Sequence, residues 1–283
     1  MFDSLTQEHN FPVELVPTPN AITGEQLTDS YQVIRTDTNE VLGVHGSRYK
    51  IVKHDDVVNS IIDSVNQADI SKDFTPEVQV YDNGRKLRGT ILFNDLTIEP
   101  SVGDYTKFKV DFFNSYDASW SFCQQAAGYR LICLNGMVSA DAVARTKYKH
   151  TTSINVEGSA NKVTIGLEAF LGNQERWAKW SNQTIGTDSV SMFFKATVAK
   201  TFTRQHNVTK TNEKQLEVLL GIWDNEKAVL GPNLWALYNC LTYWSTHTHE
   251  ARTPHIASFN REVLVAKAMK SHHWHAMEVG CDI

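Results

Sequence analysis

The stretch that decides the fold is EVQVYDNGRKLRGTILFNDLTI, residues 77–98. The pair Asn83-Gly84 lies between two runs in which apolar and polar residues alternate. Asn and Gly tolerate the positive φ that a tight hairpin turn requires, so the stretch predicts two antiparallel strands joined at this pair. The first half of the chain is therefore expected to consist mainly of antiparallel strand.

The residues around this hairpin carry further signals of both kinds. Residues 31–52 alternate β-branched and polar side chains, which predicts paired short strands. Residues 54–68 place apolar side chains on one stripe and Asp55 and Asp56 near the start, where the helix dipole favours acidic groups. This segment therefore predicts a helix. Further strands are predicted at residues 107–117 and 128–134.

The period of the apolar residues changes in the second half. Residues 161–180 and 188–205 repeat apolar side chains at helical spacing, and the second segment does so every four residues up to Phe202. More helices are predicted at 212–223, at 232–246 with Pro232 in the first position, and at 258–270. Strands followed by helices predict an α+β fold, with an antiparallel sheet from the N-terminal half and amphipathic helices from the C-terminal half packed on it.

The expected domain organisation is simple, because the sequence has no repeat, low-complexity tract or long linker. Residues 1–28 lack periodicity and are predicted to be an irregular arm. Residues 29–270 are predicted to form a single α+β domain, followed by a His-rich tail at 271–283.

Composition excludes several classes of protein. The formal net charge is −5, so the chain as a whole does not attract polyphosphate, and a nucleic-acid site would need a local concentration of Lys and Arg. The four cysteines form no CxxC pair, which favours reduced, mostly buried thiols. The N-terminal residues do not have the pattern of a leader, and no apolar run of about 18 residues occurs, so neither secretion by that route nor a membrane span is expected. We therefore expect a protein of the cytoplasm that does not cross a membrane.

Motifs for common chemistries are absent. The chain has no GxxxxGK[ST], GxGxxG, HExxH or GxSxG, so we expect no cofactor and a non-enzymatic protein. Histidines cluster late in the chain without a standard zinc spacing, and three aspartates lie on or beside one predicted strand. A metal-dependent hydrolase therefore stays an alternative. The residues concerned are His247, His249, His255, His272, His273, His275, Cys281, Asp104, Asp111 and Asp117.

Basic residues fall into three groups, and the second includes an aromatic ring. Single-stranded nucleic acid is typically held by cationic grooves with aromatic faces on which bases stack. The alternative for each group is an ordinary solvated loop or helix face. The candidate phosphate contacts are Arg85, Lys86 and Arg88 after the hairpin turn, Arg145, Lys147 and Lys149 around the candidate stacking residue Tyr148, and Lys200 and Arg204, expected four apart on one helix.

Three segments resemble, in the same order, the three blocks of the phage- and plasmid-associated family called domain of unknown function 932. Residues 41–56 resemble its Leu-Gly-x-x-Gly-x-x-Tyr block, residues 129–151 its Arg-Leu-x-Cys-x-Asn strand end, and residues 233–249 its Trp-x-x-x-Asn-x-x-Thr helix. The resemblance brings no catalytic residues. It implies an origin in a virus or mobile element, where such proteins often lie near replication and recombination functions.

A curved antiparallel sheet followed by helices is, in that context, similar to the single-strand annealing proteins of phages. The similarity implies a protein of the host cytoplasm that binds single-stranded DNA and assembles into a homo-oligomeric ring or filament. A phage exonuclease or a host protein is a further expected partner. The rival hypothesis is a protein that binds a host or viral protein, since the chain has seven tryptophans and aromatic residues anchor interfaces as well as cores.

Overall fold

The computed structural model describes residues 7–130, 135–137, 145–148, 156–203, 208–247 and 254–280. The strands are β1 (Val13–Pro19), β2 (Gln26–Arg35), β3 (Glu40–His45), β4 (Phe74–Tyr81), β5 (Lys86–Ser101), β6 (Asp104–Ser115), β7 (Phe122–Arg130), β8 (Asn135–Met137), β9 (Arg145–Tyr148), β10 (Lys200–Thr203) and β11 (Val208–Thr211). The helices are α1 (His54–Ala68), α2 (Val156–Asn182), α3 (Thr187–Ala196), α4 (Glu213–Leu230), α5 (Leu234–Thr246), α6 (Pro254–Ala268) and α7 (His272–Glu278).

Within the described residues, the strands form three antiparallel sheets. The first has the order β1-β2-β3, and the second is the hairpin of β10 and β11. The largest has six strands in the order β4-β5-β6-β7-β8, with β9 paired to β7. Consecutive strands of a sheet are neighbours except for β9, which pairs with β7, and most helices follow the strands, so the predicted α+β class is confirmed.

The contacts divide the chain into two compact units whose ranges alternate along the sequence. Unit 1 comprises Met1–Leu96, Phe108–Ala126 and Asp141–Glu168. Unit 2 comprises Thr97–Lys107, Ala127–Ala140 and Ala169–Ile283. The boundary of a single domain at residues 29–270 stays a prediction.

The hairpin at Asn83-Gly84 is confirmed. β4 and β5 pair in antiparallel register up to Tyr81↔Lys86. Asn83 and Gly84 have φ of 57° and 99°, as the sequence predicts, and Asp82 before them also has a positive φ of 53°. Three consecutive left-handed residues therefore reverse the chain in a loop of four residues, and the acidic Asp82 takes part in the turn.

The sheet buries one row of apolar side chains in each of its long strands. In β5 this row includes Gly89, where a Cβ atom would lie 2.1 Å from the Phe112 ring of β6. Glycine is therefore needed for the two strands to approach with the aromatic ring between them. The buried apolar residues of this region are Leu87, Ile91, Phe93, Phe108, Val110 and Phe112 in the strands and Val57, Val58, Ile61 and Val65 in α1.

His54 fixes the start of α1 against the hairpin turn. Its imidazole is fully buried and donates from Nε2 to the carbonyl oxygen of Gly84 at 3.0 Å. Its Nδ1 accepts from the side-chain amide of Asn114 at 3.0 Å, and its backbone N–H donates to the hydroxyl of Tyr116 at 2.8 Å. Because a carbonyl oxygen can only accept, Nε2 carries a proton. Because Nδ1 accepts from an amide, it carries none, and the ring is therefore the neutral tautomer.

The predicted N-terminal arm is not irregular throughout. Residues 13–19 form β1, which pairs with β2 from Val13↔Arg35 to Pro19↔Gln26 with a register shift near Pro17. Phe11 and Val13 are buried in a core cluster with Tyr116. Two prolines, Pro17 and Pro19, lie in β1. Within the described chain this strand pairs with β2 alone, and such edge positions tolerate proline.

Two predictions in the second half are wrong in detail. The helix predicted over 188–205 ends at Ala196, and the chain continues as β10. The residues after Ala196 are rich in β-branched Thr and Val, which favour strand. Helix α5 begins at Leu234 rather than at Pro232, because the side chain of Asn233 accepts from Ala236 N–H at 2.8 Å and caps the helix.

The predicted C-terminal tail also contains structure. Residues 272–278 form α7, capped by Ser271, whose hydroxyl accepts from Trp274 N–H at 3.3 Å. Trp274 is fully buried, and its ring lies 5.2 Å from that of Trp180. Burial of this aromatic side chain holds the segment as a helix within unit 2.

No helix in the described parts of the chain is both long enough and apolar enough to cross a membrane.

Candidate nucleic-acid interface

The lysine predicted to contact phosphate after the hairpin turn is buried instead. Lys86 is 5% exposed, and its Nζ contacts the carboxylate of Asp82 and lies 3.6 Å from Oδ2 of Asp117. The same ammonium lies 5.9 Å from the centre of the Trp120 ring. A lysine enclosed in this way is not available to a phosphate, so Lys86 is not part of the candidate interface.

The two arginines beside it also bind groups of the protein. The guanidinium of Arg88 lies 5.4 Å from the centre of the Phe113 ring, and its charge helps to lower the pKa of Asp111. Nη2 of Arg85 lies 3.8 Å from the Glu40 carboxylate, and the Arg85 side chain is 43% exposed. Of the first predicted group, Arg85 and Arg88 are both half-buried, whereas Lys86 is buried.

Next to Arg88 the sheet buries an ion pair that was not predicted. Asp111 is 2% exposed and Lys109 is 4% exposed, and Nζ lies 2.6 Å from Oδ2. Thr90 donates its hydroxyl to Oδ1 of Asp111 at 2.7 Å. Burial alone would raise the pKa of Asp111, but the charges of Lys109 and Arg88 and these two hydrogen bonds hold it below its ordinary value. The carboxylate is therefore ionised inside the protein.

The segment Arg145–Tyr148 is a strand rather than a loop. β9 pairs with β7 in antiparallel register, with Tyr148 opposite Phe122 and Arg145 opposite Gln125. The backbone of this predicted binding segment is therefore fixed at the margin of the six-stranded sheet. Lys149, Arg204, His249, Cys133 and Cys281, which were also part of the predictions, lie outside the described residues.

The third predicted group lies on a β-hairpin and not on a helix. Lys200 begins β10 opposite Thr211, and Lys210 of β11 is opposite Thr201. Successive side chains of a strand alternate between faces, so the two lysines stand on opposite faces of the hairpin. Both are exposed, as is Lys195 in the last turn of α3. We call β10 and β11 the cationic hairpin.

No acidic residue occurs between Asp188 and Glu213. Among the described residues, no carboxylate forms an ion pair with Lys195, Lys200 or Lys210. The lysines of the cationic hairpin therefore differ from Lys86 and Lys109, whose charges are matched by aspartates. Exposed lysines without a carboxylate partner in an acidic protein are the kind of local positive charge that a nucleic-acid site requires.

The base of the cationic hairpin is held firmly. The N–H of Asn212 donates to the carbonyl oxygen of Ala199 at 2.7 Å, and the side chain of Asn212 accepts from Gln215 N–H at 3.1 Å. The amide of Gln215 also donates to the carbonyl oxygen of Val198. One asparagine thus closes the hairpin and caps α4, which fixes the strands on unit 2.

Two histidines of α7 lie in the same unit as the cationic hairpin. The rings of His272 and His273 lie 3.8 Å apart at the start of α7. Partial burial and the charges of His272 and Lys200 lower the pKa of His273. The effect of Lys200 on this ring shows that the hairpin lysine and the histidine pair lie within electrostatic reach of each other.

The predicted metal alternative finds no support in the described parts of the chain, where no group of three or more His, Cys, Asp or Glu side chains is arranged to hold an ion. The three aspartates are occupied by donors of the protein. Asp104 accepts from Trp235 Nε1 at 2.7 Å, and Asp117 accepts from Ser119 N–H at 2.9 Å. Asp111 is the partner of Lys109. Cys123 and Cys240 are buried, as predicted.

All seven tryptophans are buried and do not form an exposed aromatic surface. In unit 2, Trp177 packs against Trp235 with ring centres 5.3 Å apart, and Trp180 packs against Tyr238 at the same distance. The aromatic residues that suggested a protein-binding surface are core residues. They therefore give that rival hypothesis no support.

Two of the sequence blocks quoted above meet in unit 2. Helix α5 carries Trp235, Asn239 and Thr242, and it packs on β8, which begins at Asn135. The amide of Asn239 donates to the carbonyl oxygen of Trp235 at 2.8 Å, and the hydroxyl of Thr242 donates to that of Asn239 at 3.0 Å. These motif residues bond within the helix and are buried, so packing accounts for them.

A family model described as "Domain of unknown function (DUF932)" matches residues 41–269, which is more than half of the chain. No curated protein and no solved structure matches it. The match includes all six strands of the large sheet and the cationic hairpin in full, and it ends just after α6. The chain therefore belongs to the family of proteins with domain of unknown function 932.

Proposed function

We propose that this protein binds single-stranded DNA without catalysing a reaction, and that the cationic hairpin is its principal phosphate-binding element. The observation that carries the proposal is the set of exposed lysines at 195, 200 and 210, which lie in an acid-free segment and have no carboxylate partner among the described residues. Exposed cations that are not neutralised within the protein are available to the phosphates of a nucleic-acid strand.

The biological role follows as part of the same proposal. Its support is the α+β class with a large antiparallel sheet, together with the analogy to phage single-strand annealing proteins that the sequence suggests. We propose a role in replication or recombination of a phage or mobile element in the host cytoplasm, with homo-oligomers annealing complementary strands. This support is an argument by analogy, so the binding of an oligonucleotide has to be measured directly.

Salt dependence separates phosphate binding by the cationic hairpin from other modes. Each phosphate neutralised on a single strand contributes about −0.7 to the slope of log K against log salt. The double substitution Lys200→Ala, Lys210→Ala is expected to weaken binding and to make this slope shallower by about 1.4, since two contacts are lost. The measurement is fluorescence anisotropy of a labelled oligothymidine titrated with full-length protein over a range of salt concentrations.

A matched control removes the same charge elsewhere. Lys72 and Lys227 each form an ion pair with an aspartate on the protein surface, at 2.7 Å in both cases. The double substitution Lys72→Ala, Lys227→Ala is expected to leave the salt slope unchanged. An identical slope for wild type and for the hairpin variant would refute the assignment of the hairpin.

A further inference from the structure

Strand β3 approaches the turn after β6 unusually closely. At Gly43 of β3, a Cβ atom would lie 2.3 Å from the carbonyl oxygen of Tyr116. Glycine therefore allows β3 to pass directly against this turn. Two residues later, Nε2 of His45 donates to the same carbonyl oxygen at 2.6 Å. The close approach thus fixes the position of the His45 ring in unit 1.

A second ring is stacked on this histidine. The rings of His45 and Tyr49 are 3.7 Å apart between centres and inclined by 8°. The hydroxyl of Tyr49 is 3.4 Å from the carbonyl oxygen of Tyr116, so both rings are tied to one point. Both are half-buried rather than enclosed. The pair is therefore a rigid aromatic surface that remains partly open to solvent.

The loop between the two rings is also ordered. The N–H of Ser47 donates to the carboxylate of Asp29 at 2.7 Å, and the N–H of Tyr49 donates to the carbonyl oxygen of Gly46 at 3.0 Å. Hydrogen bonds from Ser47 are the main reason that the pKa of Asp29 is below its ordinary value. The stack is thus formed before any ligand arrives, which lowers the entropy that binding would cost.

The stack lies in a second acid-free segment, between Glu40 and Asp55. The segment contributes three exposed cations, Arg48, Lys50 and Lys53. Arg48 interacts with Asp29, but no ion pair involves Lys50 or Lys53 among the described residues. Asp117, the other carboxylate near Tyr49, accepts from Ser119 and faces Lys86. Lys50 and Lys53 are therefore exposed cations in the same segment as the half-buried aromatic pair.

We propose that the His45–Tyr49 stack is a base-stacking site for single-stranded DNA, with Lys50 and Lys53 on the neighbouring phosphates. Stacking on an aromatic face accepts any base, because every base has a π-face, and the flanking cations bind the backbone. This inference rests on the proposed function and adds to it a contact with the bases, in addition to the contacts with phosphates. The site lies in unit 1 and is independent of the cationic hairpin.

An abasic oligonucleotide tests this site apart from phosphate binding. Anisotropy titrations of the full-length protein compare oligothymidine with an abasic oligomer of equal length and charge. The wild type is expected to prefer oligothymidine by about fivefold or more, since stacking of one base is worth at least that factor. The Tyr49→Leu variant keeps an apolar side chain against the core, and it is expected to bind both oligomers equally.

A second variant keeps the test decisive should Tyr49→Leu fail to fold. The Lys50→Ala, Lys53→Ala variant is expected to retain the preference for bases and to make the salt slope shallower by about 1.4. Equal affinity of the wild type for the two oligomers, or an unchanged preference in Tyr49→Leu, would overturn the stacking site while leaving the proposed function intact. A wild type that binds neither oligomer would overturn both.

Discussion

Replacing Asp111 by alanine is expected to lower the free energy of unfolding by about 3–5 kcal/mol, because it leaves Lys109 charged and buried without its partner. Lys109 is 4% exposed and its Nζ lies 2.6 Å from the Asp111 carboxylate, so water cannot replace the lost anion. Thr90 would lose its acceptor as well. Urea unfolding followed by tryptophan fluorescence measures the change.

The control removes both charges at once. The double substitution Lys109→Met, Asp111→Leu leaves no unpaired ion, so most of the lost stability is expected to return. Because the folded pKa of Asp111 is lowered, its contribution to stability is present above the ordinary aspartate pKa of about 3.9. That contribution is lost as the pH falls through the folded value. A loss below about 1 kcal/mol in Asp111→Ala would show that the pair is hydrated and not buried.

Replacing His54 by alanine is expected to lower the free energy of unfolding by about 3 kcal/mol, through a cavity and two lost hydrogen bonds. The carbonyl oxygen of Gly84 would lose its donor, and the amide of Asn114 would lose one acceptor. The ring also packs against Tyr116, with centres 4.1 Å apart. Chemical unfolding at neutral pH is the appropriate measurement.

An exposed residue of the same helix provides the comparison. Asn59 is exposed and donates to the Asp55 side chain at 3.0 Å, and its substitution by alanine is expected to change stability by less than about 0.5 kcal/mol. Equal effects of His54→Ala and Asn59→Ala would contradict the account in which His54 joins α1 to the hairpin turn.

Local sequence signals predicted the parts of the fold that depend on local physics. Helix α1 has the predicted bounds, since its apolar stripe and its acidic first turn are properties of one continuous segment. The turn at Asn83-Gly84 depends on backbone conformations that few other residues adopt. The six-stranded sheet follows from a series of such hairpins.

The parts that could not be predicted depend on contacts between distant residues. Lys86 was predicted to contact phosphate. Its burial could not be predicted, because it depends on Asp117 and Trp120, which lie more than one strand further along the chain. The Lys109–Asp111 pair gave a weak signal, two opposite charges at alternate positions of one strand, but its burial depends on the tertiary fold. The spacing of apolar residues alone predicted a helix that continues through Val198. That residue is buried, but it lies beyond the end of α3.

The proposed stacking site at His45 and Tyr49 could not be predicted from the sequence for the same reason. The sequence shows His45 and Tyr49 four residues apart in a loop, and nothing local requires their rings to stack. Stacking results from the approach of Gly43 to Tyr116, a residue of another hairpin. An acid-free segment with an aromatic residue and several lysines is the signal that sequence reading can use in such cases.

The central claim is that the chain binds single-stranded DNA through the cationic hairpin, and charge reversal on that hairpin tests it most directly. Full-length wild type is expected to bind labelled oligothymidine at micromolar concentration or below in low salt. The Lys200→Glu, Lys210→Glu variant is expected to bind at least about tenfold more weakly, since two contacts become repulsive. The Lys72→Glu, Lys227→Glu variant, with the same net charge, is expected to bind like the wild type. Absence of wild-type binding, or affinities of the two variants within twofold of each other, would contradict the claim.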